Sequence, residues 1–115
     1  MHVVLAASGG AIYAGTDTGL MVSRNAGQSW EALPSQPSGQ VISLVAPVSE
    51  PQTLYVGTPS GLSRSTNGGE SWIDLGPDGV PILALAVTPN DPNRIFLLSD
   101  EGAVYRSVDG GATWN

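Results

Sequence analysis

The stretch Ser107-Val108-Asp109-Gly110-Gly111-Ala112-Thr113-Trp114 is the last of three copies of one eight-residue turn. The earlier copies run from Ser23 to Trp30 and from Ser65 to Trp72, and the three tryptophans lie 42 residues apart. A fixed repeat in the low forties is the size of one four-stranded propeller blade. The spacing therefore predicts a repeat protein made of three blade-sized units.

The residue types in these turns suit a tight chain reversal. Adjacent glycines accept positive φ without a Cβ clash, and a short Asp or Asn side chain accepts hydrogen bonds from nearby backbone N–H groups. The tryptophan is expected to bring a large apolar surface back under the turn, and its indole N–H needs an acceptor. A cluster of Asp, Gly and Trp could also hold a ligand or metal, but its recurrence at a fixed period favours a structural role. The residues to which we assign this role are Ser23, Asn25, Gly27, Trp30, Ser65, Asn67, Gly69, Trp72, Ser107, Asp109, Gly111 and Trp114.

The turns resemble the Asp box, or bacterial neuraminidase repeat, usually written S-x-D-x-G-x-T-W. The third copy matches this pattern fully, whereas the first two have Asn at the Asp position and Ser at the Thr position, and the first has Ala26 in place of a glycine. The resemblance implies a β-propeller in which the turn residues are structural and lie away from any catalytic centre. It extends to sortilin-type receptor domains and to photosystem II assembly-factor-like propellers, which bind partners without catalysis.

The composition is typical of a single, turn-rich all-β domain. The 115 residues include 41% hydrophobic and only 12% charged residues, with 15 glycines and 9 prolines. The net charge is −6 and lysine is absent, which argues against nucleic-acid binding and against docking on anionic membranes. No cysteine is present, so thiolate metal sites and disulfides are excluded. We expect a soluble protein without a signal peptide or a membrane-spanning segment, and its compartment is left open.

Each repeat is predicted to contain four short antiparallel strands. The first strands are almost continuously apolar, which is typical of strands buried on both faces. The predicted first strands are 3–7, 41–46 and 82–87; the second are 11–15, 53–57 and 94–98; the third are 20–23, 62–65 and 103–107; the fourth are 30–33, 72–75 and a truncated 114–115. The corresponding blades within one propeller domain are 1–35, 36–77 and 78–115.

Three blades are too few to close a propeller ring, because closed rings have typically four to eight blades. An open set would leave two apolar blade faces in water. We therefore predict that the ring is completed by homo-oligomerisation, with a homodimer of six blades as the first choice. The alternative is that the chain is an excised or engineered piece of a longer single-chain propeller.

Few residues have the pattern of a catalytic or metal site. The resemblance to sialidases implies an arginine triad, but Arg24, Arg64 and Arg106 lie within or next to a turn, on the outer half of a blade. We expect these three residues and Arg94 to be solvated charges at strand ends. No metal site is predicted, because only Asp109 is charged among the three equivalent turn positions.

The acidic loops and the remaining candidate residues have structural explanations. Asp17, Asp100 and Glu101 lie in loops before third strands, where Asp is common for conformational reasons, and they do not form a recognisable pair of glycosidase carboxylates. Tyr13 and Tyr55 are at equivalent positions and are predicted to be core residues. His2 is terminal and has no partner pattern.

The sequence favours a non-catalytic propeller segment that binds a partner or acts as a scaffold. Its ligand is left open between protein and glycan, and no cofactor is predicted. A second interpretation is a piece of a sialidase-like or glucan-cleaving glycoside hydrolase whose catalytic residues lie elsewhere. A third is a glycan-binding lectin, which is weakened because the loops between the repeats differ from one another.

Overall fold

The computed structural model describes residues 4–8, 10–16, 19–33, 35, 41–47, 52–77, 79–88 and 91–114. These residues form eleven β-strands, which are β1 Val4–Ser8, β2 Ala11–Thr16, β3 Gly19–Ser23, β4 Glu31–Ala32, β5 Ser43–Val45, β6 Leu54–Thr58, β7 Gly61–Ser65, β8 Ile73–Gly76, β9 Ile82–Thr88, β10 Asp91–Ser99 and β11 Val104–Ser107. Within this part of the chain, no helix is long and apolar enough to cross a membrane.

The strands form three antiparallel sheets in which each strand pairs with the next one along the chain. We call them blade 1 (β1–β4), blade 2 (β5–β8) and blade 3 (β9–β11). This arrangement confirms the predicted all-β architecture of a propeller segment. The fourth strands begin one residue later than predicted, after Trp30 and after Trp72. Trp114 lies outside a strand, and Asn115 lies outside the described residues.

The apolar core lies between the blades, in two clusters. Between blades 1 and 2, Tyr13 and Leu20 pack with Leu54 and Val56. Between blades 2 and 3, the buried residues are Tyr55, Leu62, Ile82, Ile95 and Leu97. The prediction that Tyr13 and Tyr55 are core residues is confirmed. Because each cluster takes side chains from two sheets, every blade buries a face only against its neighbour.

Strand β9 does not have the burial that its apolar sequence predicts. We expected its residues to be buried on both faces, but Leu83 is 48% exposed and both Ala84 and Ala86 are exposed. In blade 2 the corresponding strand β5 is largely buried. The reason is that blade 3 has blade 2 on one side and, within the described chain, no sheet on the other.

Candidate functional site

The three predicted turns, which we call box turns (23–30, 65–72 and 107–114), share one network centred on a buried serine. In the second box turn the Ser65 hydroxyl donates to Asn67 Oδ1 over 2.9 Å and accepts the Gly69 N–H over 2.9 Å. The Ser23 and Ser107 hydroxyls make the same two bonds with their own Asn or Asp and glycine. These serines are each 1% exposed, so their hydroxyls are satisfied within the turn.

The Asn or Asp of each box turn closes the reversal from the other side. Its Oδ1 accepts the N–H of the residue four positions later, over 2.9 Å in the first turn and 3.0 Å in the other two. In the third turn the hydroxyl and the backbone N–H of Thr113, and then the hydroxyl of Ser107, lower the pKa of Asp109 from its ordinary 3.8 to about 2. The carboxylate is therefore ionised at neutral pH and occupied by donors of its own turn.

The second and third box turns also contact the preceding blade. Trp72 Nε1 donates to the Ser35 carbonyl over 3.0 Å, and the Ser35 N–H donates back to the Gly69 carbonyl over 3.0 Å. Trp114 Nε1 donates to the Leu75 carbonyl over 3.1 Å. A Cβ on Gly69 would lie 2.7 Å from Leu33 Cδ1, so only a glycine fits against this leucine. The sequence predicted that the indole N–H needs an acceptor, and the structure shows that the preceding repeat supplies it.

Trp30, in the first box turn, departs from the predicted burial. It is 39% exposed, whereas Trp72 and Trp114 are partly buried against the two core clusters. Among the described residues, a Cβ on Gly27 would come within 4 Å only of Trp30 itself. The first box turn therefore has the conformation of the other two but, in the described chain, no preceding sheet against which to pack.

Arg64 is not the solvated charge that the sequence predicts. It is partly buried, and its Nη1 donates to the Gly110 carbonyl of blade 3 over 3.1 Å. Its buried Nε has no hydrogen-bond partner among the described residues. The other arginines are exposed, as expected for strand-end charges, and Arg94 Nε lies 3.5 Å from Asp91 Oδ2. Arg64 thus connects blade 2 to the third box turn, a contact that no sequence pattern indicated.

The acidic loop residues do not converge on one site in the part of the chain that is described. Asp100 is exposed, and its N–H donates to the Pro81 carbonyl over 3.3 Å. Glu101 is exposed, and its N–H donates to Ser99 Oγ. Asp17 and His2 lie outside the described residues. Among the residues that are described, no group of three or more His, Asp or Glu side chains could hold a metal ion.

Two open cavities border blade 2 in the described part of the chain. One, of about 200 Å³, is at the end opposite the box turn, where Asp74 accepts a hydrogen bond from Ser63. The other, of about 280 Å³, lies between the outer strands of blade 1 and the second box turn. This second cavity, which we call the rim cavity, is lined by Val22, Arg24, Glu31, Ala32, Gln52, Asn67, Gly68 and Glu70. Charges of both signs at its mouth suit a polar ligand with its own charged groups.

Comparisons with known proteins agree with this geometry. A family model described as photosynthesis system II assembly factor YCF48 matches residues 7–115. No curated protein sequence matches the chain. Among solved structures, the chain is similar to a YCF48 bound to D1 peptide, with a TM-score of 0.76 and 18% identity over 99% of this chain and 40% of that one.

Two further solved structures have the same fold. An ancestral GH74 enzyme has a TM-score of 0.83 and 24% identity, over 96% of this chain and 17% of that one. YCF48 from Cyanidioschyzon merolae has a TM-score of 0.67 and 22% identity, over 97% of this chain and 35% of that one. The chain thus spans less than half the length of each of these proteins, and at such identities the likeness shows a shared fold.

Proposed function

Because the chain belongs to the family of the photosynthesis system II assembly factor YCF48, we propose that it is a non-catalytic module that binds a peptide segment of another protein. The observation that carries this proposal is the structural likeness, over 99% of the chain, to a YCF48 that holds a D1 peptide. The module would act by binding or scaffolding, without a cofactor.

The rim cavity is the site that best fits a peptide. It lies between two blades, and its walls come from both of them. Arg24 supplies a cation, Glu31 and Glu70 supply carboxylates, and Gln52 supplies an amide that both donates and accepts. Such a mixed surface can pair with the main chain and with charged side chains of a peptide.

The box turns support a non-catalytic role. Their serine and Asn or Asp side chains are bonded within the turn and offer no activated nucleophile. A general acid near neutral pH needs a raised pKa, whereas the pKa of Asp109 is lowered to about 2. These residues therefore act as structural supports in our proposal.

Titration of the fluorescently labelled D1 peptide that binds the YCF48 relative, followed by anisotropy, tests this function. We expect saturable binding to the 115-residue chain and none of a scrambled peptide of the same composition. The double variant Arg24→Ala/Glu70→Gln should weaken binding at least about tenfold. Arg94→Ala is the matched control, because Arg94 is also exposed but lies outside the rim cavity. Equal, non-saturable signals from both peptides would contradict the proposal.

One observation favours a second candidate, a segment of a glycan-cleaving hydrolase. Glu31 and Glu70 border the same cavity, and glycosidases act with two carboxylates that face each other across a sugar. The likeness to an ancestral GH74 enzyme is consistent with this reading. Reducing-sugar release from xyloglucan, lost in Glu70→Gln, would establish it in place of the peptide-binding function; our proposal expects no release.

We also propose that two copies complete one closed ring of six blades. This number lies within the usual range for propellers, and a two-fold axis relates the copies. The exposed hydrophobic side chains Leu83, Leu98 and Val104 on blade 3 support it, since a neighbouring blade would remove them from water.

A further inference from the structure

The two junctions between neighbouring blades have the same backbone geometry at the box turn. At the junction of blades 2 and 3, which we call the second junction, the Gly110 N–H donates to the Asn93 carbonyl over 3.0 Å. At the junction of blades 1 and 2, which we call the first junction, the Gly68 N–H donates to the Gln52 carbonyl over 2.9 Å. The φ angles of Gly110 and Gly68 are 73° and 70°. The carbonyls of these two glycines therefore have equivalent places in the two junctions.

A cation lies at this carbonyl in the second junction. Arg64 is in blade 2, and its Nη1 donates to the Gly110 carbonyl of blade 3 over 3.1 Å. A Cβ on Gly110 would lie 3.6 Å from the same nitrogen. The repeat thus has a place for a guanidinium group between one blade and the box turn of the next.

In the first junction, Val22 has the position that Arg64 has in the second. Each pairs with the buried tyrosine of the neighbouring strand, and each directly precedes its box serine. The short apolar side chain of valine has no donor for the Gly68 carbonyl. Among the described residues, a Cβ on Gly68 would come within 4 Å only of Gln52 Oε1, at 2.9 Å. The rim cavity lies at this point, and Val22 and Gly68 both line it.

Two carboxylates border the rim cavity at positions that carry no charge in the second junction. Glu31 and Glu70 line it, whereas the residues 42 positions later are Ile73 and Ala112. Arg24 also lines the cavity, so its two carboxylates and one guanidinium leave a net negative charge. The first junction therefore attracts a cation to the carbonyl at which the second junction has its own arginine.

The arrangement of the acceptors favours a guanidinium over an ammonium group. The carbonyl of Gly68, the amide oxygen of Gln52 and the carboxylate of Glu70 come from blade 2, and the carboxylate of Glu31 comes from blade 1. A guanidinium group has five N–H donors in a planar fork and can reach several separate acceptors, whereas an ammonium group has its three donors on one nitrogen.

We propose that the rim cavity binds the side chain of an arginine residue in a peptide partner. The guanidinium group donates to the Gly68 carbonyl, as Arg64 does to Gly110, and it pairs with Glu31 and Glu70. This inference rests on the proposed peptide-binding function and names the residue type that the site recognises. The net charge of −6 favours association with such a basic peptide.

A titration of the 15N-labelled, 115-residue chain followed by NMR tests the site. The probe is an acetylated and amidated heptapeptide of glycine and serine with one central arginine. We expect saturable shifts of the backbone amide signals of Gly68 and Glu70. The same peptide with citrulline, which has nearly the same shape and no charge, should bind at least about tenfold more weakly. A lysine peptide should also bind more weakly than the arginine peptide.

Variants of the chain locate the binding to the rim cavity. Glu70→Gln should raise the dissociation constant of the arginine peptide about three- to fivefold, as for loss of an exposed ion pair. Glu101→Gln is the matched control, because Glu101 is also exposed but lies outside the cavity, and it should leave the constant unchanged. Glu70 is exposed, so this pair of variants is informative even where a change in the core weakens folding.

A second pair of variants fills the cavity from within. Val22→Arg places an arginine at the position equivalent to Arg64 and should abolish the saturable shifts, with the fold checked by circular dichroism. Val22→Met adds a longer side chain without a cation, so it should weaken binding less than Val22→Arg.

The outcomes separate this site from the proposed function. Equal binding of the arginine and citrulline peptides, or arginine binding that Glu70→Gln and Val22→Arg leave unchanged, would overturn the arginine site. If the D1 peptide still binds saturably in that case, the peptide-binding function stands without it. Binding of the arginine peptide without any binding of the D1 peptide would support the site and contradict the proposed partner.

Discussion

The contact between each box turn and the blade before it can be measured with one pair of alanine variants, Gly27→Ala and Gly69→Ala. Both glycines are in the left-handed region, with φ of 88° and 91°. An alanine there costs about 1–2 kcal/mol from backbone conformation alone. At Gly27 the added Cβ would come within 4 Å of one side chain among the described residues, Trp30 at 4.0 Å, so we expect this conformational cost to be the main effect.

Gly69→Ala adds a packing cost to the same backbone strain. Its Cβ would lie 2.7 Å from Leu33 Cδ1 and 3.2 Å from both Leu33 Cβ and Cγ, so the whole side chain must move. Overpacking of a tight core costs about 1–3 kcal/mol. We therefore expect Gly69→Ala to lower the free energy of unfolding by about 2–5 kcal/mol, against about 1–2 for Gly27→Ala.

Urea denaturation followed by circular dichroism, at one fixed protein concentration, measures both variants. The double variant Gly69→Ala/Leu33→Ala should lose less than the sum of its single changes, because the shortened side chain leaves room for the new methyl group. If Gly27→Ala and Gly69→Ala lose the same free energy within about 0.5 kcal/mol, the docking of the box turn on the preceding blade is wrong.

Two further variants test the same turns by other means. Trp72→Ala should lower the free energy of unfolding by about 2–4 kcal/mol, because it removes a partly buried ring and the hydrogen bond to the Ser35 carbonyl. In the same urea melts, Ile73→Ala at the exposed neighbouring position should cost under about 1 kcal/mol. A loss under about 1 kcal/mol for Trp72→Ala would mean that the ring is not held by the blade junction. Asp109 has a folded-state pKa of about 2, below its ordinary 3.8, so its contribution to stability is present above about pH 4 and is lost as the pH falls towards 2. In thermal melts between pH 5 and 2, the melting temperature of the unmodified chain should fall more steeply than that of Asp109→Asn. The asparagine can donate a hydrogen bond from its side-chain amide, as Asn25 and Asn67 do, and it does not titrate. Parallel curves would contradict the charge-assisted bonds to Asp109.

The sequence alone predicted much of the fold because its information is local and repeated. Strand limits were correct to within a few residues, since apolar runs and glycine-rich turns act over neighbouring residues. The three box turns could be located from their letters, and the family match over residues 7–115 agrees with the propeller that they implied. The blade boundaries and the roles of the site residues stay predictions.

Only the tertiary structure decided what each repeat touches. Ser35 and Trp72 lie 37 positions apart, and Arg64 and Gly110 lie 46 apart, so no local pattern links them. Residues at equivalent sequence positions also have different surroundings. Trp72 packs against the core shared with the preceding blade, whereas Trp30 has no preceding blade in the described chain and is exposed. The sequence by itself determined the repeating unit, through local backbone preferences and the fixed period of the repeat. The packing of one unit on the next determined which side chains are buried, because burial depends on a neighbouring unit that the unit's own sequence does not encode.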